Sequence, residues 1–264
     1  MSAPDHRTRT PPSSGALAPG TDDPSAGARE ARRPAGALAR TLGDVAMASY
    51  LLPSLCFYSK ALRKALDVED STADGAGCAL TFDDGPHPRG TPAMLEALAA
   101  AGARATFFLV GEQVRRNPAI VGEIVAAGHD LGLHCDRHRN LLRLSPRQVR
   151  ADLARAQATV EQEAGRAIEL YRPPYGILNA TALRVARDRG WRTLLWSHWG
   201  KDWQAKATPE SIAELATRGV RPGSVLLLHD ADDYSVPGSW RRTAAALPEV
   251  LETLALLKLQ PTAL

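Results

Sequence analysis

Thr81-Phe82-Asp83-Asp84-Gly85-Pro86 follows directly on Cys78-Ala79-Leu80, so an apolar strand ends on two adjacent acids and is stopped by a Gly-Pro pair. Adjacent carboxylates repel, and burial penalises their charge. A fold that gathers both at a strand end uses them to hold a cation or to move a proton. Downstream, His134-Cys135-Asp136-Arg137-His138 supplies two imidazoles four residues apart. On one helical turn such a pair lies about 5–6 Å apart at Cβ, close enough for one ion. Two histidines and one acid make a three-ligand set with an open position, the pattern of a catalytic metal site. One aspartate can complete the set and the other can act as general base beside it.

Working outward, short apolar runs alternate with helix-length segments, which predicts βαβα order and a parallel sheet. The strand candidates are 79–82, 105–110, 130–133, 169–172, 193–197 and 224–228, with a further strand expected within 254–261. Asn117-Pro118, Ser145-Pro146 and Thr208-Pro209 each place an N-cap residue before a first-turn proline. Gly102, Gly128, Gly165, Gly190 and Gly219 mark helix ends. Val149, Leu153, Ala156 and Val160 give the segment from Ser145 to Gly165 one apolar face. Such units either close as a barrel or lie open as a doubly wound sheet, and in both cases the site forms at the strands' carboxyl ends. No G-x-G-x-x-G follows a strand, which excludes the usual dinucleotide fingerprint. No internal repeat is evident.

Three further polar motifs follow strands. Tyr171-Arg172-Pro173-Pro174-Tyr175-Gly176 combines a permanently charged guanidinium with a rigid turn. Trp196-Ser197-His198-Trp199-Gly200-Lys201-Asp202-Trp203 holds three of the five tryptophans, whose rings suit either core cover or stacking on sugars. Leu226-Leu227-Leu228-His229-Asp230 brings a histidine to a strand end, where it can serve as a general acid.

Composition narrows the alternatives. With 264 residues, 44% hydrophobic and 23% charged, the chain reads as globular, and a net charge of +3 gives no basic stripe for nucleic acid. Cys56, Cys78 and Cys135 are too few for a disulfide framework and favour a reducing, cytoplasmic setting. Residues 1–40, rich in Pro, Ala and Arg, are expected to be disordered, with 41–76 a helical lead-in and 77–264 the catalytic domain. The best apolar stretch, 45–58, is shorter than the roughly 20 residues of a membrane span and contains Pro53. It reads as a helix packed on the domain, with export or anchoring through 32–58 left open.

Together these five segments resemble the five motifs of the polysaccharide deacetylase family, the NodB-homology domain or carbohydrate esterase family four, over about residues 77–260. The resemblance implies a distorted (β/α) barrel, commonly of seven strands, and metal-dependent removal of acetyl groups from glycans such as chitin, peptidoglycan or acetylated xylan. It implies Asp83 as base, and Asp84, His134 and His138 as ligands of a divalent ion, zinc first, with cobalt or nickel also suited. Arg172 would orient Asp83, and the Tyr175 main-chain N–H would stabilise the oxyanion. Asp202 would tune His229, the general acid, while Trp203 and Leu227 would wall the substrate and acetyl pocket. Cys135 departs from the family's Ser or Thr, which predicts a weakened loop hydrogen bond and redox-sensitive metal loading. An acetylated carbohydrate is the expected partner. An inactive glycan-binding relative and a deacetylase of a small molecule or glycolipid are the rival readings.

Overall fold

Side chains that face alternately outward and inward along the longer strands form two apolar clusters in the computed structural model, which describes residues 46–72 and 77–264. The strands are β1 (Val68–Glu69), β2 (Cys78–Asp83), β3 (Thr106–Val110), β4 (Asp130–Cys135), β5 (Leu170–Tyr171), β6 (Arg192–Leu194), β7 (His198–Trp199), β8 (Val225–His229) and β9 (Pro261–Thr262). Leu80, Phe82, Phe107, Leu109, Leu133, Tyr171, Leu226 and Leu228 point outward into a large core shared with the helices. Ala79, Phe108, Leu170, Leu194 and Val225 form a small inner plug. A strand's side chains alternate faces, so Thr81, Asp83, Leu227 and His229 share the inner face with that plug.

The named strands pair in parallel, in the order β1-β6-β5-β4-β3-β2-β8-β7, with β9 added to the start of β2. β6 and β7 are successive pieces of one stretch, so the order returns on itself. The closure is carried by Ser197 N–H to Val225 O at 3.0 Å, Thr72 N–H to Gly223 O at 2.9 Å and the antiparallel bridge Ser71–Ser224. The result is the distorted barrel; the open doubly wound alternative does not occur. β1 was not among the expected strands. The expected strand over 193–197 is instead split at Leu195, and the last strand begins only at Pro261, after a helix that runs to Leu256.

The expected helix boundaries occur. Helices begin at Pro118, Pro146 and Pro209. Ser145 and Thr208 cap theirs through capping boxes, whereas Asn117 makes no cap and donates instead to Pro86 O at 3.1 Å. All five stop glycines adopt positive φ, between 60° and 78°. Val149, Leu153, Ala156 and Val160 are all buried. In the lead-in, Tyr50 anchors residues 46–51 by donating to Leu144 O at 2.8 Å and accepting from Asn179 at 2.9 Å. No helix among the described residues is long and apolar enough to cross a membrane. The expected disorder of 1–40 lies outside the described residues.

Candidate active site

Successive residues of a strand face opposite sides, yet both acids of the opening motif reach one cavity. Asp83 ends β2 on the inner face, and Asp84 turns back with φ 82, a left-handed conformation that non-glycine residues rarely adopt. Both are buried, at 2% and 4% exposure. The cavity, about 220 Å³, is lined by Asp83, Asp84, His134, His138, Tyr175, Trp196, Trp199, Trp203, Leu227, His229, Tyr234 and Ser235. Eight of the ten residues singled out from sequence are in that lining; Arg172 and Asp202 stand behind it, fully buried.

The histidines are not one helical turn apart. His134 lies within β4, where a bulge skips it: Leu109 pairs with Leu133 and Val110 with Cys135. His138 follows in the turn beyond, and the two rings sit 5.2 Å apart. A strand bulge, which leaves one residue out of the ladder and bends the chain, replaces the helical spacing. His134 Nδ1 lies 2.7 Å from the carbonyl oxygen of Arg172. A carbonyl only accepts, so Nδ1 carries the proton and Nε2 presents its lone pair. Nε2 of His134 and of His138 stand 3.6 Å and 3.4 Å from Asp84 Oδ1. Burial lowers both imidazoles to about 3, so they are neutral and ready to ligate. Burial raises the Asp84 carboxyl to about 7, and its Oδ1 has no hydrogen-bond partner. One ligand atom from each residue lies within 4.8 Å of the others. An orphaned buried oxygen beside two neutral imidazoles fits a divalent cation, which would satisfy all three.

A second group, His87, Asp232 and Asp233, has similar spacing. There, however, His87 Nδ1 accepts from Gly90 N–H at 2.8 Å and Arg89 N–H at 3.2 Å. Its proton therefore sits on Nε2, 3.3 Å from Asp232 Oδ1, and the group is a hydrogen-bonded cap rather than a ligand set.

Arg172 Nη1 donates to Asp83 Oδ1 at 2.7 Å and to Thr81 Oγ1 at 2.8 Å, while Nε and Nη2 reach Leu194 O and Leu195 O. Its guanidinium lies 4.0 Å over the Phe108 ring. Burial raises the Asp83 carboxyl above its usual range despite Arg172. Across the cavity, His229 Nδ1 donates to Asp202 Oδ1 at 2.8 Å, and the His229 N–H and Thr243 hydroxyl both donate to Asp202 Oδ2. Burial alone would lower His229, but the charge and hydrogen bond of Asp202 outweigh it, and with Asp84 and Asp83 they raise it to about 10.

Tyr175 has φ 60 and packs edge-on to His138 at 4.5 Å. Sequence reasoning missed the ring on the other side: Tyr234 stacks on His138 at 4.6 Å, and its hydroxyl donates to Glu112 and accepts from Gln113. Cys135 is fully buried, and burial raises its thiol well above the ordinary range. A neutral, inaccessible thiol is unreactive, so the expected redox sensitivity has no structural basis.

A polysaccharide deacetylase family model matches residues 70–194. A peptidoglycan-N-acetylglucosamine deacetylase of Bacillus cereus is 35% identical over 179 residues, covering 67% of this chain and 80% of that one. A chitooligosaccharide deacetylase of Azorhizobium caulinodans is 36% identical over 182 residues, covering 66% and 86%. Among solved structures, the family 4 carbohydrate esterase of Streptomyces lividans, in complex with acetate, superposes with a TM-score of 0.63 at 32% identity, covering 70% of this chain and 91% of that one. A family pseudoenzyme from Bacillus anthracis superposes with the same score at 25% identity, covering 70% and 62%. The chain belongs to the polysaccharide deacetylase family.

Proposed function

We propose that this polysaccharide deacetylase acts on an N-acetylated glycan, hydrolysing the acetamide to release acetate and a free amino sugar. Asp84, His134 and His138 are the residues that would hold its divalent cation, with zinc the first expectation and cobalt or nickel also compatible with the ligands. When bound, such an ion supplies Lewis acidity and brings the pKa of its water toward about 7.

The chain's own groups then divide the proton traffic. Asp83, oriented by Arg172, takes the proton from the water that attacks the acetamide carbonyl. The Tyr175 main-chain N–H donates to the oxygen on which negative charge develops. His229, kept protonated by Asp202, gives its proton to the departing nitrogen as the C–N bond breaks. Leu227 lines the space for the acetyl methyl, and Trp203 offers a face to the sugar ring. General acid and base each contribute about 10²–10⁴-fold.

One observation carries the reading: an orphaned Asp84 oxygen beside two neutral imidazoles, with an arginine-held carboxylate and an aspartate-held histidine on the same cavity. A pseudoenzyme role would require a missing ligand, base or acid, and here each position is filled. The test is acetate release from chito-oligosaccharides and peptidoglycan fragments by the metal-loaded protein, before and after chelation. No acetate from any N-acetylated glycan, with metal bound, would sink the proposal.

A further inference from the structure

A second cavity, about 760 Å³, opens at the seam of the sheet, between β1, the stretch 195–199 that includes β7, and the turn 221–224 that leads into β8. It shares Trp196 and Trp199 with the active-site cavity, so two indoles form a common wall. The rings make a ladder from the general acid: Trp203 lies 5.4 Å from His229, Trp199 5.4 Å from Trp203, and Trp196 5.9 Å from Trp199. The indoles are tilted by 37° and 57° against one another rather than stacked, so they make a contiguous aromatic wall that runs from the general acid to the second cavity and suits contact with sugar rings.

The rest of the cavity wall carries an excess of cations. Lys60, Lys64 and Arg221 line it; all three are exposed, and none makes an ion pair among the described residues. The acids of the same wall are largely neutralised: Asp70 by Arg63 at 2.7 Å and Glu69 by Arg192 at 2.7 Å, which leaves Asp67. Three cations against one unpaired acid, in a space of ligand size, match an anion. A phosphate brings more charge than a carboxylate, and three acceptor oxygens for several donors.

We infer that this cavity is an accessory subsite for a phosphate group carried by the N-acetylated glycan, held by Lys60, Lys64 and Arg221 while the sugar chain crosses Trp199 and Trp203. This rests on the deacetylase reading above. The site selects substrate without touching the reacting atoms, so its effect falls on KM rather than kcat.

The test compares two chito-tetraoses identical except for a 6-O-phosphate on one. The phosphorylated chain should show a KM lower by about three- to tenfold at low ionic strength, with kcat alike and the difference shrinking as salt rises. Inorganic phosphate should erase the difference by competition. Lys60→Glu/Arg221→Glu should abolish it while leaving the neutral chain's kcat and KM at wild-type values; Lys60→Gln/Lys64→Gln should reduce it. Equal KM for the two chains would overturn the inference, as would an equal gain from a carboxylate-bearing chain. If neither chain is deacetylated, the functional reading fails. Calorimetric binding of the two tetraoses to wild-type and charge-reversed protein then decides the subsite separately: tighter binding of the phosphorylated chain to wild type alone supports it, and equal binding overturns it.

Discussion

Asp83 and His229 are register partners across the β2–β8 ladder, so the proposed base and acid occupy neighbouring inner-face positions on adjacent strands. Their environments hold them in complementary states. The carboxyl of Asp83 is raised by burial yet gripped by Arg172, and His229 is raised to about 10 in the metal-free protein, where Asp202 outweighs burial. The profile of kcat/KM should therefore be bell-shaped. It rises as Asp83 loses its proton and falls as His229 loses its own. A cation at Asp84 cancels one of the charges that raise His229, so the alkaline limb of the loaded enzyme should lie below 10. Asp202→Asn should lower that limb further, by about 1–3 units. An unmoved limb would remove His229 from the role of acid.

Metal binding should compete with one proton, and that proton belongs to Asp84. The histidines sit at about 3 and are already neutral in weak acid, whereas Asp84 sits at about 7. Zinc affinity should rise with pH to about 7 and then flatten, with one proton released per ion. The sign for stability follows. A folded-state pKa raised above the ordinary carboxylate value favours the folded metal-free protein at low pH, and this support is lost as pH climbs toward 7. The gap in Tm between loaded and metal-free protein should widen from pH 5 to pH 8. Release of two protons, or a constant gap, would contradict this assignment.

Asp83→Asn should abolish turnover while retaining the ion, because Asp83 is bound to Arg172 and not to the ligand set. His134→Ala should lose ion and turnover together. Metal content by mass spectrometry and acetate release separate the two; loss of the ion from Asp83→Asn would require the aspartates' roles to be exchanged.

Gly132 is fixed by what lies over it. A Cβ there would collide with the ring carbons of Phe108, and that ring supports the Arg172 guanidinium 4.0 Å away. Gly132→Ala should cost about 1–3 kcal/mol and lower kcat by displacing Arg172 from Asp83. Gly122→Ala, with nothing within 4 Å of its Cβ, should be neutral or stabilise by up to about 1 kcal/mol. Equal melting temperatures for the two variants would show that the barrel interior yields freely at Phe108.

The parts of this architecture that repeat a physical pattern were legible in the chain. First-turn prolines and glycines at left-handed stops set many of the helix ends, and apolar runs located the longer strands. Residues placed by tertiary geometry were not. β1 is two residues long, with only Val68 buried, too short for any period to register. The four-residue spacing of His134 and His138 has no helix beneath it, because a bulge in β4 sets their approach. Tyr234 reaches His138 from the loop after β8, and Thr243 reaches Asp202 from the last helix; a lone tyrosine or threonine carries no signal of such contacts.

The closure of the sheet also has a consequence in time. Leu195 N–H donates to Glu69 O at 2.7 Å, and Thr72 N–H to Gly223 O at 2.9 Å, so an early segment waits for partners made much later in the chain. Loop-closure entropy makes such distant pairings slow to form. The expected order is therefore β2, β3 and β4 first, with the seam last. In pulsed hydrogen exchange during refolding, the amides of Leu195 and Thr72 should gain protection after those of Phe107 and Leu131. Early protection at the seam would mean that the ring assembles around its junction.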